Sequence, residues 1–221
     1  MAKRHLWRDE AGGALVEATV LIPILFVFLL GSVDFLHAFY QWTAATKAMQ
    51  VGARLAAVSD PVATGMTGTT NIAKSAVDGT TVFTGDPMPD FQVTCNDGGS
   101  GGCTCTRGTC TGMGAYSAAA MNTILFGRGS TSCTDATNYY NAGMCDIFPR
   151  LTAANVRIVY DQTGLGFAGR VAGPVPTIAV SLQNLTFQFF FLNGLSGFAN
   201  LAMPAFTTTF TGEALSSAAT Q

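Results

Sequence analysis

Residues 14–33, from Ala14 to Val33, read ALVEATVLIPILFVFLLGSV. The run holds one charged residue, Glu17, and one proline, Pro23. As a helix rising about 1.5 Å per residue it would be about 30 Å long, the thickness of a bilayer's hydrocarbon core. A cleaved secretory signal usually has a shorter apolar region, roughly 7–15 residues, closed by a small-residue cleavage site. No Ala-x-Ala site follows here. Asp34, Phe35, His37, Phe39, Tyr40 and Trp42 follow instead, the polar and aromatic collar found where a helix leaves a membrane. Lys3, Arg4 and Arg8 precede the run and cations are sparse just after it, which puts the amino terminus in the cytoplasm.

Glu17 is the anomaly, because an ionisable group inside a span costs roughly 2.5–3.5 kcal/mol at the bilayer centre. Two readings stand for the lone carboxylate: it snorkels to the cytoplasmic interface, or it has a partner. Its setting, Gly12-Gly13-Ala14-Leu15-Val16-Glu17, puts the carboxylate five residues beyond a glycine that follows a short basic leader.

Arg8-Asp9-Glu10-Ala11-Gly12-Gly13-Ala14-Leu15-Val16-Glu17, then Leu21-Ile22-Pro23-Ile24-Leu25 and Gly31-Ser32-Val33-Asp34-Phe35, resembles the start of TadE-like proteins. These are minor pilin-like (pseudopilin) components of the Flp, or tight-adherence, pilus system. The resemblance runs to about Ala57. Thr163–Gly169, Met203-Pro204 and Thr211-Gly212-Glu213 also resemble family members that carry an extra-membrane domain. The resemblance implies a prepilin peptidase cut after Gly12, leaving Gly13 as the new amino terminus and Glu17 as the fifth mature residue. The Gly12-Gly13 doublet also admits a cut after Gly13. Glu17 would then neutralise a mature amino-terminal ammonium, its own or a neighbour's, which offsets much of the cost of burying either charge. The implied partners are the inner membrane, the prepilin peptidase, other pilins or pseudopilins and the pilus assembly proteins. The implied role is structural, in assembly and cell adhesion. The alternative is an unprocessed, membrane-anchored periplasmic scaffold of the secretion machinery.

Charge elsewhere is scarce, 11% of residues with a formal net charge of −2. Nucleic acid is excluded as a partner, since it needs a dense cationic footprint. Cys95, Cys103, Cys105, Cys110, Cys133 and Cys145 are an even number in one short, loop-like stretch, which suits disulfides in an oxidising compartment. The membrane topology independently places them on the outer, periplasmic side. The sequence does not choose their pairing.

The helix is expected to continue to about Val58. Ala45, Ala48, Gly52 and Ala56 recur at spacings of three and four and form a stripe of small residues, with Lys47 and Arg54 on a common flank. Such a stripe permits close helix approach, either to the chain's own domain or to a partner helix. Residues 59–90 then read as a connecting region with one helical turn near Asn71–Val77. Phe91–Cys95 suits a short strand, Gly98–Gly112 a glycine- and cysteine-rich loop, and Tyr116–Phe126 a helix, with Ala118, Met121, Ile124 and Leu125 at helical spacing. Val156, Ile158 and Tyr160 alternate with polar neighbours in Asn155–Asp161, as in a half-buried strand. Ile178–Leu192 is β-rich, and Phe206, Thr208 and Phe210 alternate in Ala205–Glu213. The resulting fold class is α+β: a cytoplasmic leader (1–12), a long transmembrane helix with its extension (13–58), the connector (59–90), and a disulfide-containing periplasmic domain with an antiparallel sheet (91–221).

Other motifs dissolve on inspection. Gly164-Leu-Gly-Phe-Ala-Gly169 fits G-x-G-x-x-G, but Arg170-Val-Ala-Gly-Pro-Val-Pro176 cannot be the helix a dinucleotide requires, and no acid follows before Glu213. A glycine-rich turn between strands is expected and no cofactor. Cys103-Thr104-Cys105 with Cys110 is a poor zinc set, since no histidine lies beyond His37. The same lack leaves a serine hydrolase without its base, and no carboxylate pair stands out for acid/base work, so no catalytic residue is expected. Asp34 and His37, three apart on a helix, read as polar residues at the membrane exit. Phe187-Gln188-Phe189-Phe190-Phe191 reads as sheet core in preference to a contact surface.

Overall fold

The computed structural model describes residues 10–66, 83, 85–97, 102–110, 112–133, 141–167, 174–196, 201–212 and 215. The basic leader, the helical turn expected near Asn71–Val77, Gly169, Arg170 and Glu213 lie outside the described residues. The chain divides into two compact units, Met1–Gln41 with Thr186–Leu201, and Trp42–Leu185 with Ala202–Gln221.

One helix, α1 (Glu10–Ala57), runs through both. Its amino-terminal half is made of Leu, Val, Ile, Ala and Phe, and Pro23 inside it does not end it. Proline costs the helix one backbone hydrogen bond, to the carbonyl four residues back. Two exposed hydroxyls on α1 are satisfied by the helix's own backbone. Thr19 Oγ1 donates to the Val16 carbonyl and Ser32 Oγ to the Leu29 carbonyl, each at 2.7 Å.

In the second unit the small-residue stripe finds its partner within the chain. Ala45, Ala48, Ala53 and Ala56 are fully buried, and Gly52 lies so close to Met144 that an added Cβ would overlap its Sδ. Lys47 and Arg54 stay exposed on the other flank. The stripe therefore seats α1 on its own domain.

That domain is a five-stranded antiparallel sheet in the order β2-β1-β3-β4-β5. The strands are β1 (Phe91–Asn96), β2 (Gly102–Gly108), β3 (Val156–Asp161), β4 (Thr177–Leu182) and β5 (Thr207–Thr211). Between β2 and β3 lie α2 (Ala118–Phe126) and the short α3 (Met144–Ile147). Ser117 caps α2 by accepting from the Ala120 N–H, and Gly127 ends it at a φ of 91°. A side chain at Gly127 would also collide with the Asn141 carbonyl. Register follows the alternation in β3. Val156, Ile158 and Tyr160 pair with Leu182, Val180 and Ile178, and all six are buried. This is the period-2 logic of a sheet with one face in a core.

Gly102–Gly108, expected as loop, is a strand. Its sequence GCTCTRG has no large apolar residue to announce one. Long-range partners impose the extended form instead. Cys95 and Cys103 face each other across β1 and β2 and pair at disulfide distance. Arg107 reaches Asp90 at 2.8 Å and Asp161 at 2.6 Å. The ion pair to Asp90, with that to Asp161, raises the guanidinium's pKa further. Cys105 pairs with Cys110 and Cys133 with Cys145, so all six cysteines are accounted for.

Tyr160 is the domain's buried polar keystone. Its hydroxyl accepts a hydrogen bond from the Val62 N–H at 2.9 Å, with the residue fully buried. Burial pushes the phenol's pKa well up, the Val62 N–H opposing it weakly. Tyr160→Phe keeps the ring and strands the Val62 donor, and a buried unpaired donor costs about 1–3 kcal/mol. Urea denaturation of the detergent-solubilised chain should show that loss with an unchanged m-value. An unaltered midpoint would mean that Val62 finds another acceptor.

Candidate membrane-anchor and assembly site

The first unit is built on the apolar half of α1. Leu15, Leu21, Leu25 and Phe28 are all more than 60% exposed, and the most apolar 18-residue window has a mean hydropathy of 2.4 with none of it buried. A helix apolar all round and covered by nothing is built for lipid or for other apolar helices. α1 is long and apolar enough to cross a membrane once.

Gly12 and Gly13 lie inside α1, in its first turn, with open space where a Cβ would be. Glu17 is exposed on the same helix. Residues four apart share a helix face, so Gly13 and Glu17 stand about one turn, roughly 6 Å, apart along it. An amine at residue 13 and the Glu17 carboxylate would thus face the same side. The six cysteines are far along the chain in the second unit, where they staple the sheet and do not contribute to this site.

At the other end of the span stands a carboxylate with a different role. Asp34 is fully buried within its unit. Its Oδ1 accepts from the Phe190 N–H at 2.9 Å, and its Oδ2 from Phe191 at 2.9 Å and Leu192 at 2.6 Å. Leu192 opens α4 (Leu192–Ser196), so Asp34 holds the otherwise unpaired donors that precede and open a helix. About two helical turns further, Gln41 grips the same segment twice. Its Nε2 donates to the Gln188 carbonyl at 2.8 Å, and its Oε1 accepts from the Gln188 N–H at 3.0 Å. The Phe187 N–H donates to the Leu201 carbonyl at 2.9 Å. His37 packs its ring against Phe190, centroids 4.6 Å apart.

These contacts correct one expectation. Phe187–Phe191 is not part of the sheet core, since β4 ends at Leu182 and the segment runs irregularly beside α1. Phe187 is buried, but Phe190 and Phe191 are 65% and 45% exposed. Asp34, expected only as a polar residue at the membrane exit, in addition clamps that segment. A partial signal for the clamp does exist: residues 171–212 carry no charged side chain at all, so any carboxylate that holds their loop amides comes from elsewhere in the chain.

The glycine-rich stretch after β3 turns toward β4. Gly164 has a φ of 87°, and a side chain at Gly166 would strike the Val175 carbonyl. Among the described residues no three His, Cys, Asp or Glu side chains group so as to hold a metal ion.

No curated protein and no solved structure matches the chain. Residues 12–54 match the family model described as TadE-like protein. The match begins at the glycine doublet and covers the apolar run, Glu17, Asp34 and most of the buried stripe. Over residues 12–54, α1 is a TadE-like segment.

Proposed function

We propose that the chain is a pseudopilin-like subunit of a Tad, or Flp, pilus, anchored once in the inner membrane and acting by assembly. Tad pilus association is what the TadE-like segment suggests. The reading rests above all on the unburied apolar helix that carries one carboxylate a turn beyond a glycine doublet. Its amino terminus lies in the cytoplasm and its disulfide-bearing domain in the periplasm, an oxidising compartment. Its partners are a prepilin peptidase, other pilins or pseudopilins, and the pilus assembly proteins. Nothing in this role requires catalysis.

Processing is the step that separates this reading from an unprocessed scaffold. Mass spectrometry of the membrane-extracted chain from cells with an active prepilin peptidase should report an amino terminus at Gly13. Gly12→Phe should leave the leader on, or move the cut by one residue to follow Gly13. A full-length amino terminus in the unaltered chain would reject the pilin-like role and favour the plain anchor.

A further inference from the structure

We propose that residues 187–192 form a second membrane contact, an aromatic loop lying in the outer interfacial layer of the bilayer beside the point where α1 emerges. The inference rests on the membrane reading of α1.

Where such a loop dips toward the acyl chains, contact is cheapest if its backbone groups are satisfied inside the protein, because a bare amide costs several kcal/mol wherever it meets hydrocarbon. This loop meets much of that need, chiefly through side chains of α1. The N–H groups of Phe190, Phe191 and Leu192 end on Asp34, Gln188 is held at both its N–H and its carbonyl by Gln41, and the Phe187 N–H ends on Leu201. A loop in water needs no such arrangement. With its polar backbone turned to the helix, the loop leaves Phe190 and Phe191 outward.

Depth supports the same occupant. If residues 14–33 fill the hydrocarbon core, Asp34 to Gln41 rise through about the next 10 Å, which is the headgroup region where aromatic side chains concentrate. The loop is tied to that stretch of α1. Phe35, Leu36, Phe39 and Tyr40 are each at least 64% exposed there, so the helix presents its own apolar and aromatic surface at the same level, on the face away from the loop. No charged residue occurs from 171 to 212 to oppose entry. A second copy of the chain is the rival occupant, but it would not require five of the loop's N–H groups to be paired inside the protein.

The test uses the full chain in phosphatidylcholine/phosphatidylglycerol vesicles, with lipids brominated along the acyl chain as quenchers and acrylamide as the aqueous quencher. Phe190→Trp and Phe28→Trp are each placed in a Trp42→Phe background, and that background's signal is subtracted. Phe28→Trp reports the span itself and should be quenched by deeply brominated lipid. Phe190→Trp should be quenched by lipid brominated near the headgroup and shielded from acrylamide. Adding Asp34→Asn should abolish lipid quenching at position 190 and leave it intact at position 28. Lipid quenching at position 28 with acrylamide quenching at 190 overturns the loop contact and spares the anchor. Shielding of position 190 from both quenchers assigns the surface to another protein copy and likewise overturns the proposal. No lipid quenching at position 28 overturns both the anchor and the loop.

Discussion

Glu17→Gln is expected to leave the chain inserted in the membrane with its domain folded, and to abolish its incorporation into a pilus. The two roles open to Glu17 differ in sign. A carboxylate that only snorkels is dearer to bury than an amide, so the substitution would be silent or would ease insertion. A carboxylate paired with a mature amino-terminal ammonium leaves that ammonium alone when it is removed. Breaking one member of a buried pair costs about 3–5 kcal/mol, roughly two to four decades in an association constant. Gly13 and Glu17 share a face of α1, so an amine at residue 13 reaches its own carboxylate or, in a packed array, a neighbour's. Membrane fractionation, crosslinking to other pilus subunits and surface piliation read the three consequences separately. Wild-type piliation by the variant would show that Glu17 makes no such pair.

Reduction of the three disulfides is the second large effect. Each closes a short loop, with sequence separations of 8, 5 and 12 residues. The chain-entropy account assigns such loops about 2–3 kcal/mol each. Together they approach the whole stability of an ordinary domain, about 5–15 kcal/mol. A phosphine reductant should therefore unfold the sheet at moderate urea, with loss of β signal in circular dichroism and gain of protease sensitivity. α1 holds no cysteine and its apolar half should remain in the detergent or lipid. Among paired Cys→Ser variants, Cys133 with Cys145 should cost the most, since it closes the longest loop. A urea midpoint that ignores the reductant would mean that the sheet stands without its bridges.

What the sequence disclosed and what it hid divide along a physical line. α1 is legible because a long apolar run with its glycine doublet and lone carboxylate is a local signal, and β3 because Val156, Ile158 and Tyr160 alternate. The pairing of cysteines and the strand at Gly102–Gly108 are not local. They depend on Cys95 meeting Cys103 and on Arg107 meeting Asp90 and Asp161, and no periodicity encodes that. The aromatic run at 187–191 misleads for the same reason. Its composition suits a strand, yet its amides are claimed by Asp34, more than 150 residues earlier. At the candidate site, Gly12, Gly13 and Glu17 are proposed from the resemblance that their local sequence carries, whereas Asp34 takes its meaning only from the folded chain.

α1 belongs at once to the anchor and to the hydrophobic core, and this sets where the chain can be cut. The usual way to free a periplasmic domain is to trim away its transmembrane helix to the last residue. Here that operation would remove Ala45, Ala48, Gly52, Ala53 and Ala56, and leave a trench beside Met144. A water-soluble fragment has to begin near Trp42, inside the helix, and inherit its last third. A protease that severs α1 below that point releases an unfolded remnant rather than a shed domain.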